Sequence, residues 1–178
     1  MTEEHNQLKL HGYSIFEHAL FRNQIETLAN EVKQDSKLNI ETLANEVKQD
    51  SKLNTKKKKS DKAKLLETIL DEMDNIAKNP DDSKYCMGNT IGNKYSHWRR
   101  AKIKGRYRIF FRFHSIQKII IFAWVNDEDT KRTYGSKNDA YAIFKKMLDK
   151  GNPPDNWNEL LAAVSASESN ESPEQHQN

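Results

Sequence analysis

The chain has 178 residues, of which 31% are charged and 35% are hydrophobic, and its net charge at pH 7 is +3. This length suits one domain with a compact core, with room for a tail or an insertion. No apolar run approaches the roughly 20 residues that a membrane-spanning helix needs, which excludes membrane insertion. The single cysteine, Cys86, cannot form an internal disulfide, and the acidic start of the sequence lacks the apolar stretch of a signal peptide. The composition therefore predicts a protein of a reducing compartment, most simply the cytoplasm.

The N-terminal part of the chain contains a direct duplication. An alternating, aromatic-containing stretch over 8–19 predicts a short edge strand, and a helix is expected over 20–33. The fifteen residues IETLANEVKQDSKLN then occupy 25–39 and recur without change at 40–54. Within each copy the apolar residues recur at helical spacing, so each copy can form an amphipathic helix.

The spacing of the two copies limits how they can pack. On a straight helix, a shift of fifteen residues rotates the second apolar stripe by roughly 60°, so both stripes cannot squarely face one core. The chain must slip, bend or let one copy protrude. Two interpretations stay open: a contact arm, or a tolerated duplication at the tip of a helical hairpin.

A second helix is expected after a short lysine run at 56–59. Ser60 and Asp61 suit a helix start, and the helix should end before Asn79 and Pro80. The lysine run fits a solvated linker or a contact with nucleic acid. The apolar residues of this helix that lie at core spacing are Leu65, Leu66, Ile69, Leu70, Met73 and Ile76.

The segment from 83 to 126 contains no Asp or Glu, and bases accumulate in it. Strands are predicted over 97–103, 106–113 and 118–125, with a turn near 115–117, and the last strand is apolar on both faces, as suits a central strand. The basic residues of this segment are Lys84, Lys94, Arg99, Arg100, Lys102, Lys104, Arg106, Arg108, Arg112 and Lys118.

Residue parity predicts the register of the first two strands. Lys102, Arg108 and Arg112 share even positions, whereas the apolar residues Ile103, Tyr107, Ile109, Phe111 and Phe113 share odd ones. Pairing Ile103 with Tyr107 keeps the apolar residues together and requires a three-residue loop at 104–106, in which Gly105 can adopt a left-handed conformation. This register predicts a basic face backed by an aromatic core.

The C-terminal part is expected to be helical and then disordered. The polar segment 127–138 resembles a turn, Asp139 can cap a helix over 140–150, and Gly151 with Pro153 and Pro154 ends it. A short helix is expected over 155–164. The tail at 166–178 lacks core-forming residues and is predicted to be disordered.

A basic sheet face can contact successive phosphates, so RNA is the first candidate ligand, and an ordinary solvated face is the alternative. Most aromatic residues lie on the predicted core face, which leaves Tyr134 or Trp98 for base stacking. RNA cleavage further requires cations and groups that transfer protons. Arg108, Arg132 and Lys102 can supply the charge, and Tyr134, His97 or His114 the proton transfer.

Signals for other chemistry are weak. The sequence has no zinc-ligand spacing and no phosphate-cradling glycine motif. The carboxylates Asp127, Glu128 and Asp129 could bind a divalent ion, face water or orient nearby arginines. Cys86 is expected to be a small packing residue. No cofactor is predicted.

An ordered series of motifs resembles one family. The chain contains GRYR, FFR, NDEDTKRTYG, DAY, FKKML and GNPP, in that order between 105 and 154. Together with HGYSIFEHALF near the N-terminus, they resemble the YhaV-type toxins of bacterial type II toxin–antitoxin systems, within the RelE-like superfamily. The similarity extends over about 11–161, and the second fifteen-residue copy departs from the family pattern.

The resemblance implies an α+β, RelE-like fold over 1–165, in which a small antiparallel sheet carries an N-terminal helical hairpin and C-terminal helices. It also implies a metal-independent endoribonuclease that cleaves mRNA, in association with the ribosome, and so inhibits translation and growth. The expected partner is an AbrB-like, PrlF-type antitoxin, and operator DNA is expected to bind only to the complex of toxin and antitoxin. The expected compartment is the bacterial cytoplasm.

The resemblance also assigns site residues. The catalytic roles fall on Lys102, Arg108, Arg132 and Tyr134. Arg132 and Tyr134 lie closer together than in the better-known RelE pattern, so the general acid and base stay open. The residues expected to bind RNA are Arg99, Arg100, Lys104, Arg106, Arg112, His97 and His114.

Two other functions compete with this interpretation. A ParE-like toxin would share the fold but would inhibit DNA gyrase by binding it. A non-catalytic RNA-binding or DNA-binding subunit would need the basic face without a group that transfers protons.

Overall fold

The computed structural model describes residues 7–47, 59–129 and 139–168. Within these ranges, five strands form one sheet and four α-helices pack on it. The predicted α+β class is confirmed. None of the helices in these ranges has both the length and the apolar character needed to cross a membrane.

The sheet has the strand order β1-β2-β5-β4-β3. Strand β5 is central, as its apolar character on both faces predicted. Three of the four pairings are antiparallel, but β2 and β5 run parallel. This pairing refines the expected antiparallel sheet, because it joins strands that lie far apart in sequence. The strands are β1 (Lys9–Leu10), β2 (Tyr13–Glu17), β3 (Arg99–Ile103), β4 (Tyr107–His114) and β5 (Ile119–Val125).

The hairpin between β3 and β4 has the predicted register. Ile103 pairs with Tyr107, and Lys102 pairs with Arg108. The three-residue loop contains Gly105 at a φ of 69°, the left-handed conformation that glycine adopts without strain. Strand β3 begins two residues later than predicted, because the backbone N–H of Trp98 donates to the carbonyl of Tyr95 in a turn.

The first long helix extends beyond its predicted end at residue 33. Helix α1 spans Ala19–Val47 and crosses the boundary between the two copies, since neither copy contains glycine or proline. Two of its residues in the first copy, Ile25 and Leu28, pack against the core, whereas Leu38 is 64% exposed. Residues 48–54 of the second copy lie outside the described ranges.

Helix α2 (Asp61–Lys78) begins and ends as predicted. The hydroxyl oxygen of Ser60 caps it by accepting from the backbone N–H of Ala63 at 3.1 Å. Lys62 joins α2 to α1 through an ion pair with Glu31 at 3.4 Å, so the predicted pair of N-terminal helices is present. The core prediction is wrong for Leu70, which is 51% exposed.

The sheet separates two hydrophobic cores. Helices α1 and α2 cover the face that carries the odd-numbered residues Ile103, Tyr107, Ile109 and Phe111. Helices α3 (Ala140–Asp149) and α4 (Trp157–Glu168) cover the other face. The sequence predicted one aromatic core behind a basic face, whereas apolar residues occupy both faces. The second face carries Phe110, Ile121, Ala123 and Trp124.

The two C-terminal helices begin and end close to their predicted bounds. Asp139 caps α3, since its carboxylate accepts from the backbone N–H of Tyr141 at 3.1 Å. Helix α4 begins two residues later than predicted and continues to Glu168, past the expected start of the tail at 166. Residues 169–178 lie outside the described ranges.

Candidate active site

Two arginines from neighbouring strands converge on one tyrosine. Arg100 of β3 donates from Nε to the phenol oxygen of Tyr141 at 2.7 Å, and Arg108 of β4 donates from its own Nε at 3.3 Å. The convergence follows from the fold, because both arginines point to the face that α3 covers and Tyr141 lies in the first turn of that helix. We call Arg100, Arg108 and Tyr141 the tyrosine cluster.

Arg108 is 6% exposed, and the contacts of its guanidinium hold the side chain in place. One terminal nitrogen of Arg108 donates to the carbonyls of Gly105 and Tyr107, both at 2.7 Å. Arg100 donates to the carbonyl of Lys84 at 2.8 Å. Among the described residues, no carboxylate forms an ion pair with either arginine, although a buried cation is costly without an opposite charge. A bound anion would supply that charge.

Asn126 fixes the backbone beside the cluster. Its side-chain oxygen accepts from the backbone N–H of Arg108 at 2.6 Å, and its side-chain nitrogen donates to the carbonyl of Arg106 at 3.2 Å. Asn126 is 3% exposed. It therefore holds the start of β4 and the hairpin loop in one arrangement.

Exposed bases lie near the cluster along the chain, in β3 and in the β3–β4 loop. Lys102 lies directly opposite Arg108 across the two strands, at a spacing that typically places Cβ atoms about 5 Å apart. Lys102, Lys104 and Arg106 are exposed. Their positive charge can attract phosphates to this end of the hairpin.

Arg112 lies in a second cluster, around Asp155. Its guanidinium carbon lies 5.6 Å from the ring centroid of Trp98 and 5.4 Å from that of Trp157. A terminal nitrogen donates to the carbonyl of Asp155 at 2.5 Å. Burial lowers the pKa of Arg112, and the charge of Asp155 acts in the opposite direction. The guanidinium thus links the sheet to the segment before α4.

The expectation that Trp98 stacks on RNA bases is wrong. Its ring is fully buried and packs edge-on against Phe144 at 5.1 Å. Its indole N–H donates to the carboxylate of Asp155 at 2.8 Å. Trp98 therefore belongs to the second core.

The two candidate histidines also lie near this second cluster. His97 Nε2 lies 2.7 Å from the Asp155 carboxylate. The ring of His114 lies 5.5 Å from that of Trp157, and its Nδ1 accepts from the backbone N–H of Gln117 at 3.2 Å. Neither histidine has a described contact with the tyrosine cluster.

Arg99 occupies the opposite face of β3 from Arg100. It forms an ion pair with Asp81 at 2.9 Å and contacts the sulfur of Cys86. Cys86 is exposed, which corrects its expected role as a packing residue.

The carboxylates after β5 contact neighbouring polar groups. Glu128 accepts from the phenol of Tyr107, and Asp127 accepts from the side-chain amide of Gln24 at 3.5 Å. Burial, followed by the contact with Glu128, raises the pKa of Tyr107 above its ordinary value. No group of three or more His, Cys, Asp or Glu residues in the described ranges is arranged to hold a metal ion.

Sequence reasoning missed two members of the site. Tyr141 belongs to the DAY motif, and its position two residues after the predicted helix cap Asp139 could have indicated that it faces the sheet. Asn126 marks the end of the acid-free segment, and no pattern distinguished its role. Arg132 and Tyr134 lie outside the described ranges.

Comparisons with known proteins agree with the motif series. Residues 15–165 match the model of a family, Toxin_YhaV, described as a toxin with endonuclease activity, of a toxin–antitoxin system. Two curated proteins, "Toxin YhaV" of Escherichia coli O6:H1 and "Ribonuclease toxin YhaV" of Escherichia coli strain K12, are each 46% identical over 89 residues. That match covers 49% of this chain and 58% of each relative, so the chain spans little more than half of their length. No solved structure matches.

Proposed function

The chain belongs to the YhaV toxin family, and from this membership we propose that it is an endoribonuclease toxin of a type II toxin–antitoxin system. It cleaves mRNA and thereby inhibits translation and growth. The observation that carries the proposal is the convergence of Arg100 and Arg108 on the phenol of Tyr141. Such a cluster combines the two requirements of RNA cleavage, which are positive charge for the phosphate and a group that can transfer a proton.

The chemistry follows from the position of these groups. Lys102 and the guanidiniums of Arg100 and Arg108 bind the scissile phosphate and stabilise the charge that develops on it. The 2'-oxygen of the RNA loses its proton and attacks the phosphorus. The bond to the 5'-oxygen then breaks, and that oxygen takes up a proton. The products are a 2',3'-cyclic phosphate, or the 3'-phosphate derived from it, and a 5'-hydroxyl.

Tyr141 is one candidate for these proton transfers. Its oxygen already accepts hydrogen bonds from both arginines that bind the phosphate in this proposal, so it lies beside the reacting groups. Arg132 and Tyr134 keep the roles that the family resemblance gives them, as a further cation and a second candidate for proton transfer. The exposed bases, of which Lys104 and Arg106 lie closest in sequence, guide the RNA strand to the site.

The reaction is proposed to need no metal, since arginine and lysine can provide the stabilising charge. Cleavage takes place in the bacterial cytoplasm in association with the ribosome. An AbrB-like, PrlF-type antitoxin neutralises the toxin, and the complex of the two represses their operon by binding operator DNA. These finer statements rest on the family resemblance.

Cleavage of end-labelled mRNA tests the proposal directly. The purified chain, assayed with EDTA present, should produce fragments with 5'-hydroxyl ends, both alone and in a purified translation reaction. Arg108→Ala should slow cleavage about a hundredfold, the typical effect of removing one charge-stabilising donor. Lys94→Ala is the matched control, because Lys94 is an exposed base that lies outside the tyrosine cluster.

The same assay separates the competing functions. Intact RNA together with DNA supercoiling defects in cells would favour a gyrase-binding toxin. RNA binding without cleavage would favour a non-catalytic subunit. Cleavage that continues unchanged in the Arg108→Ala variant would contradict the site assignment.

A further inference from the structure

Three hydrogen bonds join Asn126, the residue that follows β5, to the β3–β4 loop and the start of β4. Its side-chain oxygen accepts from the backbone N–H of Arg108 at 2.6 Å, and its side-chain nitrogen donates to the carbonyl of Arg106 at 3.2 Å. Its backbone N–H donates to the carbonyl of Arg108 at 3.4 Å. The side chain of Asn126 thus holds the 106–107 peptide group by its carbonyl and the 107–108 peptide group by its N–H.

The 107–108 peptide group also orients the guanidinium of Arg108. A trans peptide group is planar, so its N–H and its carbonyl point in opposite directions within one plane. In this peptide group the N–H donates to Asn126, and the carbonyl, which belongs to Tyr107, accepts from Nη1 of Arg108 at 2.7 Å. Holding the N–H therefore also sets the direction of the carbonyl that the guanidinium contacts.

The contacts of Arg108 leave one terminal nitrogen for a ligand. A guanidinium carries N–H groups on Nε and on both terminal nitrogens. The Nε atom donates to Tyr141, and Nη1 donates to the carbonyls of Gly105 and Tyr107. Nη2 has no hydrogen-bond partner among the described residues. The orientation that the loop gives to the guanidinium therefore determines where the N–H groups of Nη2 point.

The β3–β4 loop depends on such support because its backbone is strained. Lys104 has a φ of 38°, in the left-handed region that residues with a side chain rarely adopt. The backbone N–H of Arg106 donates to the carbonyl of Lys104 at 2.7 Å, which closes a tight turn. A strained conformation persists only where surrounding contacts determine it. Without the side chain of Asn126, the loop can relax and the carbonyl that orients Arg108 can turn away.

We propose that Asn126 is a positioning residue for RNA cleavage and acts through Arg108. By holding the 107–108 peptide group, it directs Nη2 of Arg108 towards the scissile phosphate, so that the donor is in place before negative charge develops. The effect on rate rests on the proposed ribonuclease function, whereas the orientation of Arg108 can be measured without RNA. Arg100 is the internal comparison, because it donates to the same phenol of Tyr141 but has no described hydrogen bond to Asn126.

A double-mutant cycle, measured by single-turnover cleavage, tests the effect on rate. Asn126→Ala should lower the rate constant about tenfold, because a misplaced donor stabilises the transition state less. The affinity for uncleaved RNA should change less than threefold, since the charge is kept. In the Arg108→Ala background, Asn126→Ala should change the rate constant less than twofold, because the group that it positions is gone. Ser60→Ala, which removes the cap of α2, is the control for lost stability and should not change the rate.

NMR of the arginine Nε–H groups tests the orientation in the absence of RNA. Arg108→Lys and Arg100→Lys each remove one signal and so assign both. Asn126→Ala should shift the Nε–H signal of Arg108 and speed its exchange with water at least fivefold. The signal of Arg100 should change much less, because its contacts do not involve the loop.

Asn126→Asp is the second variant and replaces Asn126→Ala in both tests if thermal unfolding shows that the alanine variant is not folded. It keeps the shape of the side chain and the acceptor for the N–H of Arg108 but loses the donor to Arg106. Its rate constant should fall less than that of Asn126→Ala. Equal losses of rate in both backgrounds, or an unchanged Arg108 signal in a folded variant, would overturn the inference. A shifted Arg108 signal in a chain that does not cleave RNA would contradict the proposed function and confirm that Asn126 positions Arg108.

Discussion

The Nε atom of Arg100 lies 2.7 Å from the phenol oxygen of Tyr141, although β4 and β5 separate the two residues along the chain. Arg108 approaches the same oxygen at 3.3 Å, so one phenol joins two strands to the first turn of α3. Removing that oxygen removes both contacts while the ring stays in place.

Tyr141→Phe should lower kcat for RNA cleavage about a hundredfold, the lower end of the usual contribution of a group that transfers protons. The affinity for uncleaved RNA should change less than threefold, because the arginines keep their charge. Single-turnover cleavage and a filter-binding titration measure the two quantities. Tyr13→Phe, in the other core, is the control and should leave both unchanged. A loss of affinity equal to the loss of rate would instead assign Tyr141 to RNA binding.

His18→Asn should make the stability of the chain less dependent on pH. The Nδ1 atom of His18 accepts from the backbone N–H of Leu20 at 3.2 Å at the start of α1, and burial lowers the pKa of His18 below 6.5. The unfolded chain therefore takes up this proton first, so stability falls as the pH falls from about 6.5 towards the lowered pKa. Urea unfolding at several pH values gives the slope.

Asparagine suits this comparison because it can cap a helix but does not titrate in this range. The change in slope is the readout, since the smaller side chain also lowers stability at every pH. His11→Asn is the control, because His11 is exposed and contacts Asp74 at 2.7 Å. An unchanged slope in His18→Asn would rule out His18 as the group that titrates.

Leu28→Asp should destabilise the chain by about 2 kcal/mol, because it places a charge where an apolar side chain packs against the core. Leu43→Asp changes the same residue in the second copy, with the same neighbours in sequence. We predict a change below about 0.5 kcal/mol for Leu43→Asp, because a shift of fifteen residues along a helix turns the second apolar stripe away from the direction of the first. Urea unfolding of both variants measures the difference. Equal losses would show that both copies contribute to the core.

Deleting 40–54 should leave folding and toxicity intact. Because the two copies are identical, this deletion gives the same protein as deleting 25–39, so the remaining copy can occupy the position of the first. The midpoint of thermal unfolding and growth arrest on induction should stay close to those of the full chain. Loss of either would show that the second copy is used.

Arg112→Lys should lower the free energy of unfolding by about 1 kcal/mol, although it keeps the charge. The ammonium of lysine is not planar and cannot lie against both Trp98 and Trp157 as the guanidinium does. Cleavage well below the unfolding temperature should change less than threefold. Arg99→Lys, on the opposite face of β3, is the comparison. A large loss of cleavage at full stability would assign Arg112 to the RNA-binding surface.

Local patterns were sufficient to predict much of the sheet. The pairing of Ile103 with Tyr107 followed from residue parity and the glycine in the loop, because a shift by one residue would turn every apolar side chain outward. That register also placed Lys102 opposite Arg108. The helix starts at Ser60 and Asp139 were equally local, since a cap depends on a few consecutive residues.

Long-range packing determined what local patterns missed. The burial of Arg108 depends on how α3 crosses the sheet, and residue alternation within β4 does not contain that information. Alternation alone suggested a solvated face on the side of β4 that carries Arg108 and Arg112. Phe110 lies on that same side and packs in the second core. Tyr141 belongs to the site because α3 packs across the sheet, which residue alternation within the strands does not predict.

The parallel pairing of β2 with β5 has a consequence for synthesis of the protein. Ser14 of β2 pairs with Ile119 of β5, so β2 finds its neighbour in the sheet only after roughly a hundred further residues have been made, and such distant contacts form slowly. While the chain is still growing on the ribosome, β2 lacks its partner and the sheet is incomplete. The arginines of β3 and β4 are translated before the helix that carries Tyr141. A nascent chain therefore cannot assemble the tyrosine cluster until α3 has emerged, which delays assembly of the site until most of the chain has been translated.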